Sequence, residues 1–206
     1  MVVEYIREID VAKWNKDQEK QNNIGHYKGK PGVWILLGKE NEQEKAPLMC
    51  LQVGATKDIG GEIDKDIFRL KAENFAAISV DYVNQFGEYM FSYDKYPGRT
   101  ERLYDEIAKK YQYLTFVCVA CGNKLEDEAL REDIEKYVAY RTLCPYWVNG
   151  RPFERMNEEQ IKSRKEECEK ECPVLFERIK AGYLDEAAES LKEFLDKIVK
   201  RKIEVS

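Results

Sequence analysis

The sequence contains one histidine, His26, in 206 residues. No serine or cysteine stands near it in the chain, so a nucleophile–histidine pair has no sequence support. No apolar run approaches the roughly 20 residues needed to cross a bilayer. The opening "MVVEYIREIDVAKW" has no basic region leading into an apolar one, which leaves no secretory signal to read. Positive charge is not in excess either: 34 Lys and Arg stand against 39 Asp and Glu, a net charge of −5. The molecule as a whole is therefore not drawn to polyanions, and any nucleic-acid contact has to be local. There is no internal repeat and no low-complexity linker. A soluble, cytoplasmic protein with no membrane partner is expected.

What is present suits a globular chain: 43% hydrophobic and 12% aromatic residues, enough for one sizeable core or a domain of about 150 residues with an appendage. Six cysteines in a chain without an export signal point to reduced thiols rather than a disulfide framework. Cys118 and Cys121 in "FVCVACGN" have zinc-knuckle spacing, and Cys168 and Cys172 could complete four ligands. The competing reading is that Cys118 lies inside a buried strand and serves as a small hydrophobe, which the apolar run "YLTFVCVACG" favours.

The patterning predicts strands at 32–38 ("GVWILLG") and 48–55 ("LMCLQVGA"), joined as an antiparallel hairpin across a charged loop. From Asp58 the period becomes helical, with Ile59, Ile63, Ile67 and Leu70 on one stripe. The aromatic segment 81–96 reads as a short extended element with a loop. A helix at 99–111 turns Leu103, Ile107 and Ala108 inward. A third strand follows at 113–121, then a helix at 127–143 carrying Leu130, Ile134, Tyr137 and Val138, stopped by Pro145. Beyond "CPYWVNGRPF", Asn157 and Gln160 form a capping box opening a charged helix to about residue 172, resuming to 181. A last helix carries Ala188, Leu191, Leu195, Ile198 and Val199 on one face. The expected organisation is a leader over 1–24, an α+β core over 25–155 built on a small, mainly antiparallel three-stranded sheet flanked by helices, and a C-terminal helical appendage over 156–206.

The order of hairpin, helix, helix, strand and helix ending in "PYWVN" resembles the GIY-YIG nuclease superfamily over residues 25 to about 150. "GVW" (Gly32, Val33, Trp34) stands for its first motif and "QVG" (Gln52, Val53, Gly54) for its second. "GATKDI" is similar to the stretch that follows, and "IEKYVAYRTLCPYWVNG" to the closing helix with its glutamate and asparagine. The resemblance implies a phosphodiesterase that uses two motif tyrosines, an arginine on the first helix and a glutamate holding a divalent metal. Here those positions hold Trp34, Gln52 and Glu62, while Glu135 and Asn149 match.

Trp34 has no hydroxyl to share a proton, Gln52 cannot act as a base, and Glu62 repels a phosphate that an arginine would stabilise. The family's usual mechanism cannot operate on these residues. A rearranged site is the alternative: Glu62, Asp66 and Glu135 around Mg²⁺ or Mn²⁺, with Arg69 reaching a phosphate and His26 approaching the same face. Solvated helix edges with local ion pairs account for the same residues more simply. Arg141, Arg151 and Arg155, with Trp147, Phe153 and Asn149, form a candidate basic and aromatic patch for single-stranded nucleic acid. The expected function is a degenerate GIY-YIG-like domain that binds nucleic acid or a protein partner. The alternatives are an active metal-dependent endonuclease and an assembly module.

Overall fold

The computed structural model describes residues 3–11, 23–41, 46–71, 79–83, 89–92, 103–147, 158–183 and 185–205. In chain order the elements are β1 (Glu4–Asp10), β2 (Gly32–Lys39), β3 (Met49–Thr56), α1 (Ile59–Lys71), β4 (Ser79–Val83), β5 (Tyr89–Ser92), α2 (Leu103–Lys110), β6 (Tyr113–Cys121), α3 (Glu128–Thr142), α4 (Glu158–Gly182) and α5 (Asp185–Val205), with short 3-10 turns at Ile24–Tyr27 and Asn123–Glu126. Four strands form one sheet in the order β1-β6-β2-β3, and every pairing in it is antiparallel. β4 and β5 pair separately as a small antiparallel hairpin, in the aromatic stretch where one extended element is expected.

The expected three-stranded sheet is thus corrected to four. The additional edge strand, β1, comes from the segment expected to be a leader. Its buried residues, Ile6 and Ile9, are three apart, which breaks the period of two that marks a strand. The cause is a shift of register against β6 between Tyr5 and Arg7. That irregularity turns both isoleucines to the same side of the sheet.

Both faces of the sheet are covered. Along β2, Val33, Ile35 and Leu37 join a core completed by α3, α4 and α5. Trp34 and Leu36 join a second core beneath α1 and α2, with Ile59, Ile63, Ile67 and Ile107. A strand buried on both sides reads as a continuous apolar run, as "VWILL" does. The C-terminal helices are therefore a layer of the main core: Leu175, Ile179, Leu191, Leu195 and Ile198 pack with Val33, Ile35 and Val117.

Helix ends follow local chemistry. Asp127 caps α3, its Oδ1 accepting from the backbone N–H of Ala129 at 3.0 Å and of Leu130 at 3.4 Å. Leu143, at φ 50°, ends that helix in the left-handed conformation. α4 runs through Pro173 without the expected interruption near residue 172. Asn157 lies outside the described residues.

Candidate functional site

The stretch between β3 and α1 owes its shape to packing and capping. Asp58 Oδ1 accepts from the N–H of Gly61 at 2.9 Å and of Gly29 at 2.7 Å, while Asp58 N donates to Thr56 Oγ1 at 3.1 Å. Gly54 lies under the Trp34 indole, where a Cβ would stand 2.7 Å from the ring. Gly60 lies against the 3-10 turn, where a Cβ would stand 2.6 Å from both Ile24 O and Lys28 N. These contacts require glycine independently of any ligand.

On this side of the sheet the structure gathers Trp34, Gln52, Glu62, Asp66 and Arg69. Their centre is a residue not singled out in the sequence, Tyr104 of α2, whose hydroxyl donates to Gln52 Oε1 at 2.9 Å. Arg69 NH1 donates to Asp66 Oδ1 at 2.7 Å, and its guanidinium lies 5.5 Å from the centre of the Tyr104 ring. Tyr104, Ile107 and Tyr111 are all buried, a stripe at helical spacing that marks this face in the sequence.

The electrostatics suit a sealed network. Asp66 is 1% exposed. Burial raises its carboxyl from the ordinary 3.8 to about 7, against the pull of Arg69 and with further push from Glu62. Tyr104 has one proton for two acceptors, Gln52 Oε1 and the Asp66 carboxyl. Below about pH 7 a protonated Asp66 can donate to the Tyr104 oxygen, which leaves the Tyr104 proton for Gln52. Glu62 is also raised by burial, and hydrogen bonding to Thr56 opposes the shift. The Trp34 indole N–H is buried without a partner at hydrogen-bonding geometry, although it lies close enough to Glu62 to favour that residue's ionised form. Arg69 Nε is likewise buried and unpartnered.

The residues proposed for a rearranged metal site are not brought together. Glu135 belongs to α3, which packs on the opposite face, and its Oε1 accepts the Trp147 indole N–H at 3.0 Å. Among the described residues no group of three His, Cys, Asp or Glu side chains is placed to hold a metal ion. His26 is exposed on the 3-10 turn, with Nε2 2.9 Å from Lys30 Nζ. Cys118 and Cys121 lie on the α1 side while Cys168 lies on the α3 side, so the two cysteine pairs do not form one four-ligand site.

The expected nucleic-acid patch also differs. Trp147 is 9% exposed and tied to Glu135, so it serves as an anchor rather than a stacking platform. Arg141 is paired with Asp196 of α5. Asn149, Arg151, Phe153 and Arg155 lie outside the described residues. Beside Arg141 a groove of about 1090 Å³ runs between α3, α4 and α5, with Leu143, Pro145, Ile161, Pro173, Phe176 and Val199 in its wall. Its cations include Arg141, Lys110 and Lys192, whose partners are Asp196, Glu40 and Glu189. Two more cations, Lys165 and Lys202, and two carboxylates, Glu169 and Glu177, line it with no ion pair to one another among the described residues. Burial lowers the pKa of Lys202, and the charge of Lys165 lowers it further.

No helix among the described residues is long and apolar enough to cross a membrane. Comparison with family models, curated proteins and solved structures finds no match to this chain.

Proposed function

We propose that the chain is a GIY-YIG-like domain that does not cleave phosphodiesters, and that it binds an acidic, apolar-faced segment of a protein partner in the groove between α3, α4 and α5. The observation that carries the first half is the sealed network of Asp66, Arg69, Tyr104 and Gln52. Its hydroxyl, amide and carboxyl are committed to one another, its one cation is held by Asp66, and the neighbouring Glu62 offers a carboxyl rather than a cation to a phosphate. The hairpin β2–β3, the helix after it and the pairing of β6 with β2 support the likeness of fold.

Charge complementarity supports the choice of partner. Glu169 and Glu177 also line the groove, but the only side-chain cation acting on Lys202 is Lys165 and no carboxylate does, so that end favours a ligand bringing carboxylates on an apolar body, which relieves the repulsion between the two lysines. Base stacking has less support, because Tyr137, Tyr140 and Tyr146 on the wall are all buried.

The test has two arms. Purified protein is incubated with single- and double-stranded DNA and RNA in Mg²⁺ or Mn²⁺; no cleavage is expected, and cleavage abolished in Glu62→Gln would establish the nuclease alternative. Fluorescence anisotropy then compares a labelled peptide with leucines on one helical face and glutamates on the other, its lysine counterpart, and labelled oligothymidylate. The glutamate peptide is expected to bind, and Lys165→Glu to weaken it. Binding of the oligonucleotide with neither peptide bound would replace the protein partner by single-stranded nucleic acid.

A further inference from the structure

Residues three apart in a regular strand point to opposite faces, so a Cys-x-x-Cys spacing inside β6 should separate its thiols. β6 is not regular there. Trp34 is registered with Cys118 and Val33 with Ala120, leaving Val119 without a counterpart on β2. The bulge places Val119 and Ala120 together on the α3 side and returns Cys118 and Cys121 to one face, the α1 side. Cys118 is buried at the centre of the sheet, whereas Cys121, the last residue of β6, is half-buried.

We propose that Cys121 is a thiol-modification site for low-molecular-weight disulfides of the glutathione class, with Cys118 as the positioning residue beneath it. The groups facing the pair are Lys30, Glu4, which is registered opposite Cys118, Tyr27, whose hydroxyl donates to Glu4, and Tyr183, whose hydroxyl donates to the Cys121 carbonyl at 3.0 Å. A hydrogen bond from Cys118 and the charge of Lys30 bring the Cys121 thiol down from 9.0 to about 7, against burial and Glu4. The shared hydrogen bond and burial push the Cys118 thiol up. Burial raises Cys144, Cys168 and Cys172. A partly exposed thiolate beside a cation is the environment that makes a cysteine nucleophilic near neutral pH.

In the step itself the Cys121 thiolate attacks one sulfur of the disulfide R–S–S–R. The new S–S bond forms as the old one breaks, and R–S⁻ leaves and takes a proton from solvent. Cys121–SH and R–S–S–R thus give Cys121–S–S–R and R–SH, with no further oxidant needed. Resolution by Cys118 is disfavoured. A disulfide needs Cα atoms about 4.4–6.8 Å apart, while three strand steps span about 10 Å, which one bulge shortens only in part. Closing the pair would draw the two Cα atoms together against the pairing of Cys121 with Gly32, so the mixed disulfide is the expected product.

The reduced full-length protein is incubated with oxidised glutathione near neutral pH and read by intact mass and peptide mapping. One adduct is expected, on Cys121, removed by dithiothreitol and absent in Cys121→Ser. Iodoacetamide should alkylate Cys121 with a half-maximal rate at pH about 7. Cys118→Ala should move that midpoint upward and slow the neutral rate by about tenfold as the thiolate fraction falls. Lys30→Gln, at a partly exposed position, should shift it the same way by less. The proposal is overturned by an adduct on Cys172 with Cys121 unmodified, by a Cys118–Cys121 disulfide in place of the adduct, or by a midpoint that neither variant moves.

Discussion

Replacing Asp66 by asparagine tests whether the network beneath α1 holds a proton. The asparagine side chain has the same shape: its Nδ2 can donate to the Tyr104 oxygen as a protonated carboxyl would, and its Oδ1 can still accept from Arg69. In the wild type the folded carboxyl titrates at about 7 against an ordinary 3.8. Between those values the folded state keeps a proton that the unfolded state has lost. Stability contributed by the group is therefore complete below pH 3.8 and declines as pH rises to about 7. At about 1.4 kcal/mol per pH unit, the interval is worth about 4 kcal/mol. Urea unfolding of both proteins at steps from pH 5 to pH 8 should show the wild type losing about 3 kcal/mol, the part of that interval which falls inside this range. Asp66→Asn should match the wild type within about 1 kcal/mol at the acid end and exceed it at the alkaline end. Glu62, also raised by burial, adds a slope of the same sign that the variant retains. A wild-type curve that rises with pH, or an Asp66→Asn curve with an unchanged slope, would refute the protonated network.

Three further outcomes follow from packing. Gly54→Ala places a Cβ 2.7 Å from the Trp34 indole, and thermal unfolding should report a loss of about 1–3 kcal/mol. Glu135→Ala leaves the Trp147 N–H without its acceptor and should cost about 2–3 kcal/mol, while Glu135→Gln, which keeps an acceptor, should cost about 1 kcal/mol or less by the same denaturation assay. Leu195→Ala, in the core shared by α5 and the sheet, should cost about 2–5 kcal/mol and lower one cooperative transition rather than an early separate one.

The elements with an intact period were legible in the sequence. The hairpin β2–β3, α1, β6, α3 and α5 fall where apolar spacing puts them, because each buries a stripe or a face regular enough to see. The failures occur where one residue disturbs the period. In β1 a register shift brings Ile6 and Ile9 to one side and makes a strand look like a leader. In α4, Pro173 suggests a stop that the packing of Leu175 and Ile179 overrides. Tyr104 was missed because Leu103 and Ala108 mark a neighbouring stripe, although Tyr104, Ile107 and Tyr111 carry the same spacing. The site residues on α1 and its neighbouring strands could be grouped from sequence; that Glu135 faces away from them could not, because helical spacing alone does not say which side of a sheet a helix covers.

"VGATKDIGG" carries much of the proposed likeness to a GIY-YIG nuclease, and packing and capping account for its shape. Gly54 makes room for Trp34, Asp58 caps the helix, and Gly60 lets it approach the 3-10 turn. A chain that needs only to seat a helix on a hairpin would select the same residues, so this stretch carries no information about phosphodiester chemistry. The discriminating positions come one turn later, at Glu62 and Asp66. There two acidic groups raised by burial stand together, and the nearest cation, Arg69, is already bound to one of them; under the proposed likeness this is where catalysis would need positive charge. Glu62→Arg alone is expected to give no phosphodiester cleavage in the nuclease assay, because the new guanidinium would find Asp66 before it found a phosphate.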